Sequence, residues 1–129
     1  MILDSTFLVD FEREKKRRLQ GAASEFLRMH QEVRFCVTFT IIGEIAAGKS
    51  LGDKRDEWAR FIQAFRILES SQSVAWEFGR AFRHLQSEGR LIGANDLWIG
   101  ATGLAHDLPV VTRNARDFAR IPGLKVLSY

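Results

Sequence analysis

Apolar residues along the chain alternate between short runs and longer segments with helical spacing. The short runs at residues 1–3, 33–39, 109–112 and 125–127 predict four strands, because they are mostly aliphatic, aromatic or β-branched. Apolar residues spaced three and four apart predict helices between them. The first helix starts within residues 5–11, with Ser5 or Thr6 as its cap, and the second covers residues 20–30. The next two follow a cap at Thr40 and run from a cap at Asp53 to Leu68. The last two cover residues 73–88 and follow a cap at Asn95.

Strands that are separated by helices predict an α/β fold. Parallel strands need a crossover connection, so we expect three α/β/α layers with a central, mostly parallel sheet flanked by helices. The length of 129 residues predicts one domain over residues 1–129. In open sheets of this kind, functional side chains lie beyond the carboxyl ends of the strands.

Isolated acids lie where the predicted strands end. Asp4 follows the first apolar run, Glu44 is the only acid in residues 39–51, and Asp96 is the only acid in residues 91–104. A polar cluster, residues 112–117, follows the third run. Carboxylates brought together from distant segments repel one another unless a cation neutralises them, and Mg²⁺ and Mn²⁺ prefer such oxygen ligands. The pattern therefore favours metal-dependent phosphoester chemistry.

Composition and charge agree with this chemistry without demonstrating it. The net charge is +3 and the sequence pI is about 9.4, which suits an anionic partner. No apolar run approaches the roughly 20 residues of a membrane span, and no signal peptide is visible, so no membrane association is expected. The single cysteine, Cys36, excludes an internal disulfide and fits a reducing, cytoplasmic location.

The chain resembles PIN domains in four segments. These are Asp4 to Val9, Glu44, residues 95–105 (NDLWIGATGLA) and residues 108–118 (LPVVTRNARDF). The overall length and residues 120–126 are similar to the VapC toxins of bacterial and archaeal toxin–antitoxin pairs. The resemblance spans essentially the whole chain, and its C-terminal third is the most specific part.

The resemblance implies an endoribonuclease that depends on Mg²⁺ or Mn²⁺. Asp4, Glu44 and Asp96 match three acids of the family pattern, which implies catalytic and metal-binding roles. The fourth position of the pattern falls on Asn114, where many members have aspartate. Asn114 offers a carbonyl oxygen but no charge, and Asp117 is a candidate for the missing carboxylate. The number of metal ions is therefore open.

Hydroxyl and arginine side chains complete the candidate site. Ser5 and Thr6 occupy small hydroxyl positions typical of the family, and we expect them to orient the first acid or a metal-bound water. Thr112, Arg113 and Arg116 adjoin the acids and are candidate contacts for RNA phosphates.

The same resemblance implies a VapB-like antitoxin as partner. An arginine in the antitoxin tail is expected to pair with Asp4 or Asp96 and to displace metal or substrate. The chain is expected to form a homodimer, or a hetero-oligomer with the antitoxin. Aromatic residues on the helices are candidates for the antitoxin groove or the dimer interface: Trp58, Phe61, Phe65, Trp76 and Phe82.

Two other functions compete with this interpretation. Residues 43–50 (GEIAAGKS) fit the phosphate-binding pattern G-x-x-x-x-G-K-[ST], but the helical periodicity of residues 41–47 and the break at Gly52 argue against a nucleotide site. The uncharged Asn114 suggests a degenerate PIN fold that binds RNA or a protein without cleaving it. Taken singly, Asp4 and Asp96 also fit ordinary acids at helix starts.

Overall fold

The computed structural model describes residues 1–129 as five strands and seven helices. In chain order the elements are β1 (Ile2–Leu3), α1 (Ser5–Arg17), α2 (Ala22–Met29), β2 (Cys36–Thr38), α3 (Phe39–Ala47), α4 (Arg55–Ile62), β3 (Arg66–Leu68), α5 (Gln72–Ser87), α6 (Ala94–Ala105), β4 (Val110–Val111), α7 (Ala115–Phe118) and β5 (Val126–Leu127). None of the helices combines the length and apolar character needed to cross a membrane.

The strands form one sheet in the order β3-β2-β1-β4-β5, and all four pairings are parallel. Ile2 of the central strand pairs with Cys36 on one side and with Val110 on the other. From the central strand β1 the chain first adds β2 and β3 on one side of the sheet. It then returns and adds β4 and β5 on the other side. This reversal creates a topological switch point between β1 and β4, where open α/β sheets place their ligands.

Helices pack on both faces of this sheet, which confirms the three-layer α/β/α prediction. Right-handed crossovers on either side of the switch point put the connecting helices on opposite faces. In agreement, α1 packs against α2 and α3, whereas α6 packs against α5 and α7. Helix α3 also contacts α6, and this contact brings side chains from the two layers together.

The core is built from the short strands and the helix faces that cover them. Ile2, Leu3, Phe7, Val110 and Phe118 are completely buried. Burying an aliphatic or aromatic side chain of this size contributes about 1.5–3 kcal/mol. The central strands are therefore held firmly, and the residues that follow them are held with them.

The third strand was not predicted. We expected one helix to reach Leu68, but α4 ends at Ile62 and residues 66–68 form the edge strand β3. The backbone N–H of Arg66 donates to the carbonyl of Phe35 at 3.1 Å, so pairing with β2 replaces the helical hydrogen bonds. The spacing of Phe61, Phe65 and Leu68 is compatible with a helix. The short edge strand has too few residues to show the alternation of apolar and polar positions that identifies a strand.

The four predicted helix caps were also wrong. Helix α1 begins at Ser5, directly after Asp4, so neither Ser5 nor Thr6 is its cap. Thr38, not Thr40, caps α3, because its Oγ1 accepts a hydrogen bond from the N–H of Ile41 at 3.2 Å. Helix α4 begins after Lys54 without a side-chain cap, so Asp53 does not cap it. Helix α6 begins after Gly93, which places Asn95 inside the first turn and frees its side chain for another contact.

Candidate active site

Asp4 lies at the switch point, directly after β1, and only 2% of the residue is exposed. Its backbone N–H donates to the carbonyl of Val111 at 3.0 Å, which ties it to the neighbouring strand β4. Its Oδ2 accepts hydrogen bonds from Thr6 Oγ1 at 2.8 Å and from Thr112 Oγ1 at 2.7 Å. The two hydroxyls fix the carboxylate and satisfy one of its oxygens, as a buried acid requires.

Glu44 projects from α3 at the place where α3 meets α6. Its Oε1 accepts a hydrogen bond from Asn95 Nδ2 at 2.8 Å. Its Oε2 is buried and has no hydrogen-bond partner in the chain. Leaving a charged oxygen unsatisfied is costly, so this atom marks a place where a further ligand would stabilise the protein.

Asp96 stands in the first turn of α6 and shares a partner with Asp117 of α7. Asn114 Nδ2 donates to Asp96 Oδ2 at 3.1 Å and to Asp117 Oδ2 at 3.2 Å. The Asn114 backbone N–H donates to Thr112 Oγ1 at 2.9 Å. Asn114 therefore bridges two acids that would otherwise face each other without a donor between them.

The pKa of Asp96 indicates that this residue lies close to the other acids of the site. Burial, together with the charges of Asp4, Glu44 and Asp117, raises the pKa of Asp96 to about 6, and burial is the largest of these effects. The hydrogen bond from Asn114 acts in the opposite direction and is the smallest of these effects. Nearby like charges disfavour one another's ionised form, so a cation bound among these acids would be stabilising.

The remaining predicted residues surround these acids. The Ser5 hydroxyl lies 3.4 Å from Asp4 Oδ1. Arg113 is held over α1, where its Nη1 lies 2.7 Å from Asp10 Oδ2 and its backbone N–H donates to Thr6 Oγ1 at 3.2 Å. Arg116 is exposed on α7. Both arginines therefore stand at the border of the acidic cluster, within reach of solvent.

The site residues fit Mg²⁺ or Mn²⁺ in their chemistry. All the charged donors are carboxylate oxygens, which these ions prefer, and Glu44 Oε2 is free to bind. As the side chains stand, however, no group of three or more His, Cys, Asp or Glu residues could hold a metal ion. Asp96 and Asp117 instead accept hydrogen bonds from the side-chain amide of Asn114. Rotation of the Asn114 side-chain amide by half a turn would direct its carbonyl oxygen, in place of Nδ2, toward Asp96 and Asp117.

A model of the PIN domain matches residues 1–124. The chain belongs to the PIN domain family. The match covers every strand except the last and every residue of the acidic cluster, so the geometry described above is that of a PIN domain.

Relatives and solved structures agree with this assignment. The chain is 34% identical over 80 residues to ribonuclease VapC of Rickettsia bellii, which covers 59% of this chain and 60% of the relative. It is 25% identical over 130 residues to ribonuclease VapC1 of Methanocaldococcus jannaschii, which covers 98% of this chain and 85% of the relative. The fold matches VapBC2 of Rickettsia felis bound to a promoter DNA fragment, with a TM-score of 0.82, 20% identity and coverage of 99% and 97%.

The PIN fold brings together the acids that the sequence singled out, although their catalytic and metal-binding roles stay predictions. Two contributors were missed. Asn95 was taken as a cap but orients Glu44, and its position beside Asp96 was the only available signal. Asp10 was not considered; it lies one helical turn after Thr6, on the same face of α1.

The phosphate-loop pattern at residues 43–50 does not form a phosphate loop in this PIN domain. Gly43 to Ala47 are helical, and α3 ends before Gly48, Lys49 and Ser50. A nucleotide-binding loop requires the opposite order, with a helix that begins at the Lys-Ser pair. The Ser50 hydroxyl instead donates to Glu12 of α1 at 2.9 Å. The nucleotide-binding alternative therefore has no structural support.

Proposed function

We propose that this PIN domain is a metal-dependent endoribonuclease, the toxin of a VapBC-type toxin–antitoxin pair. The observation that carries the proposal is the convergence of Asp4, Glu44, Asp96 and Asp117 at the switch point, with a buried and unpartnered oxygen on Glu44. Relatives named ribonuclease VapC and the VapBC fold supply the substrate class and the type of partner.

Asp4, Glu44 and Asp96 are the residues that would hold Mg²⁺ or Mn²⁺. The bound ion would neutralise the carboxylates, polarise the scissile phosphate and lower the pKa of a water molecule. The protein supplies the orientation: Thr6 and Thr112 fix Asp4 through its Oδ2. The other Asp4 oxygen, Oδ1, has only the long contact with the Ser5 hydroxyl at 3.4 Å and is the oxygen proposed to bind the ion.

Glu44 has one free oxygen, Oε2, for two alternative roles: it either binds the ion or, where Asp4 and Asp96 alone hold the ion, accepts the proton of the attacking water. Its other oxygen is held by Asn95, so the carboxylate cannot rotate freely and the unpartnered oxygen keeps its direction. A general base needs this kind of fixed position within hydrogen-bond reach of the proton it takes. Arg113 and Arg116 are proposed to hold the flanking phosphates, because both stand at the edge of the acidic cluster.

Asn114 motivates the competing function, a PIN fold that binds RNA or a protein without cutting. It is uncharged, and its amide is engaged by Asp96 and Asp117. We favour catalysis because Asp117 stands beside Asn114 and restores a carboxylate to that part of the site. The family pattern places one acid at Asn114, and here the charge lies three residues on.

An apolar cavity beside the acids supports an antitoxin partner. It measures about 300 Å³ and includes Leu8, Ile45, Leu51 and Phe61, with Glu44 in its wall. A partner helix that fills it with an apolar side chain would carry neighbouring residues to the acids, where an arginine could pair with a carboxylate. Trp76 is 67% exposed and Phe39 is 70% exposed. These two aromatic residues are proposed to contribute to a homodimer interface.

Cleavage of a structured RNA pool by the purified, antitoxin-free protein tests the proposal. We expect cuts in Mg²⁺ or Mn²⁺, none in EDTA, and none with Asp4→Asn or Asp96→Asn. The matched control is Asp107→Asn, because Asp107 is an exposed acid paired with Lys125 before β4, at the opposite end of the sheet. Absence of cleavage by folded wild-type protein with either metal would support the binding-only function.

A further inference from the structure

Two residues on one face of helix α1 contact Arg113. Thr6 and Asp10 are four residues apart and lie one above the other on that face. Thr6 Oγ1 accepts a hydrogen bond from the Arg113 backbone N–H at 3.2 Å, and Asp10 Oδ2 lies 2.7 Å from Arg113 Nη1. Both the backbone and the guanidinium of Arg113 are therefore fixed relative to the helix that begins at the acidic site.

Tyr129 contacts Asp10, the acid that is paired with Arg113. Its hydroxyl donates to Asp10 Oδ2 at 2.9 Å, and its ring packs edge-on against Phe7, with centroids 4.6 Å apart. Phe7 is completely buried, so the tyrosine ring is anchored on the core. Burial and the hydrogen bond to Asp10 raise the pKa of Tyr129, so its hydroxyl stays a donor under ordinary conditions.

The Asp10 carboxylate is nearly enclosed by these contacts. Only 12% of its side chain is exposed, and its other oxygen lies 3.3 Å from Arg13 Nη1. The Arg113 side chain remains 60% exposed despite the ion pair. A guanidinium has five N–H donors, so the part that faces solvent keeps donors for a phosphate.

We propose that Asp10 and Tyr129 are positioning residues, which hold the Arg113 guanidinium at the border of the acidic site in the orientation that receives an RNA phosphate. The inference rests on the proposed function, in which Arg113 contacts RNA. An arginine that is ordered before binding loses less conformational freedom when it binds. The same network reaches the reaction centre, because Thr6 also donates to Asp4.

Positioning of Arg113 by Asp10 and competition between Asp10 and phosphate for Arg113 predict opposite effects on RNA binding. A carboxylate that merely competed with phosphate for Arg113 would weaken RNA binding, so its neutralisation would strengthen binding. A carboxylate that positions Arg113 gives the opposite sign: its neutralisation weakens binding. The direction of the change therefore separates positioning from competition.

The experiment measures the affinity of a fluorescein-labelled 20-nucleotide RNA hairpin in EDTA by fluorescence anisotropy. Asp10→Asn and Tyr129→Phe are each expected to weaken binding roughly twofold to tenfold, the range of one hydrogen-bonding contact. Arg113→Ala should weaken binding at least as much and lower the slope of log Kd against log salt by about one. Asp107→Asn, the matched control, should leave binding unchanged.

A double-mutant cycle shows whether Tyr129 acts through Arg113. In the Arg113→Ala background, Tyr129→Phe should have no further effect on RNA affinity, because the group that it positions is gone. Tyr129→Phe keeps the ring against Phe7, so the fold is expected to survive, and thermal melting checks this. Arg113→Lys should recover part of the affinity lost in Arg113→Ala, since lysine restores the positive charge but not the planar, forked arrangement of guanidinium donors.

Three results would overturn the proposal: tighter binding by Asp10→Asn, a Tyr129→Phe penalty that persists without Arg113, or a lower melting temperature with unchanged affinity. Failure of the proposed nuclease function is distinguishable from these. In that case wild-type protein would not cut RNA with any metal, while the binding measured in EDTA would still follow the expected order of variants. The positioning inference would then hold for an RNA-binding PIN fold.

Discussion

Replacing Asp96 by Asn should stabilise the metal-free protein while abolishing the proposed nuclease activity. In the absence of a cation, Asp96 is repelled by three other carboxylates and pays a desolvation cost, which together raise its pKa to about 6. Asparagine removes the charge and keeps an oxygen that can accept the hydrogen bond from Asn114 Nδ2, now 3.1 Å from Asp96 Oδ2. The substitution therefore relieves repulsion without leaving Asn114 unpaired.

The expected gain follows from the pKa of Asp96. A change from 3.8 to about 6 corresponds to roughly 3 kcal/mol at about 1.4 kcal/mol per pH unit. Partial exposure and salt reduce this to roughly 1.5 kcal/mol. The lost interaction of the Asp96 charge with the N-terminus of α6 offsets about 0.5 kcal/mol. The net gain of about 1 kcal/mol should raise the melting temperature of a domain of this size by roughly 3–5 °C.

The pH dependence of this gain has a definite sign. Because the folded-state pKa of Asp96 is raised, unfolded chains lose the proton first, near pH 3.8, while folded chains keep it until about pH 6. Wild-type stability therefore falls relative to the variant across this window and stays lower above it. The difference in melting temperature should be near zero or slightly reversed at pH 4 and should reach its full size by pH 7.

Differential scanning fluorimetry in EDTA at pH 4, 5, 6 and 7 measures this difference, with Asp107→Asn as the matched control. Asp107 is exposed, so its variant should stay within about 0.5 kcal/mol of wild type at every pH. Addition of Mg²⁺ or Mn²⁺ should stabilise wild type, by about 2.7 kcal/mol at one hundred times the Kd, and should have much less effect on Asp96→Asn. A variant that is no more stable than wild type at pH 7 would refute the account of the shared acidic site.

Three further predictions test other parts of the structure. Thr112→Val removes a fully buried hydroxyl that makes two hydrogen bonds, so urea unfolding should show a loss of about 1–3 kcal/mol together with slower RNA cleavage; unchanged values would mean that water replaces the hydroxyl. Asn95→Ala frees Glu44, and Mn²⁺ affinity measured by electron paramagnetic resonance should fall roughly tenfold or more, whereas an unaffected affinity would remove Asn95 from the site. Gly103→Ala places a Cβ 2.8 Å from a methyl of Leu124 and should lower stability by about 1–3 kcal/mol; a melting temperature equal to that of wild type would show that the leucine moves aside.

The sheet and the position of the acids were predictable because both depend on local patterns. Short buried runs locate β1 and β4, and helices between strands dictate parallel pairing. Once the strands are parallel, residues that follow them meet at one edge, which is why Asp4 and Thr112 are in contact although 108 residues separate them. The edge strand β3 escaped prediction because its stability comes from pairing with β2, and its sequence lacks the buried pattern of a central strand.

The contacts that orient the site were not predictable, because they depend on side-chain direction after folding. Nothing in the sequence links Asp10 to Tyr129, which lies 119 residues away, and charge counting alone treats Asp10 as a solvated helix acid. The same holds for Asn95, whose position suggested a cap, whereas α6 begins two residues earlier than that cap implies, at Ala94 after Gly93. A pattern of acids thus identifies the candidate site, whereas the residues that hold those acids and Arg113 in position emerge only from the packing of α1, α3 and α6 around the switch point.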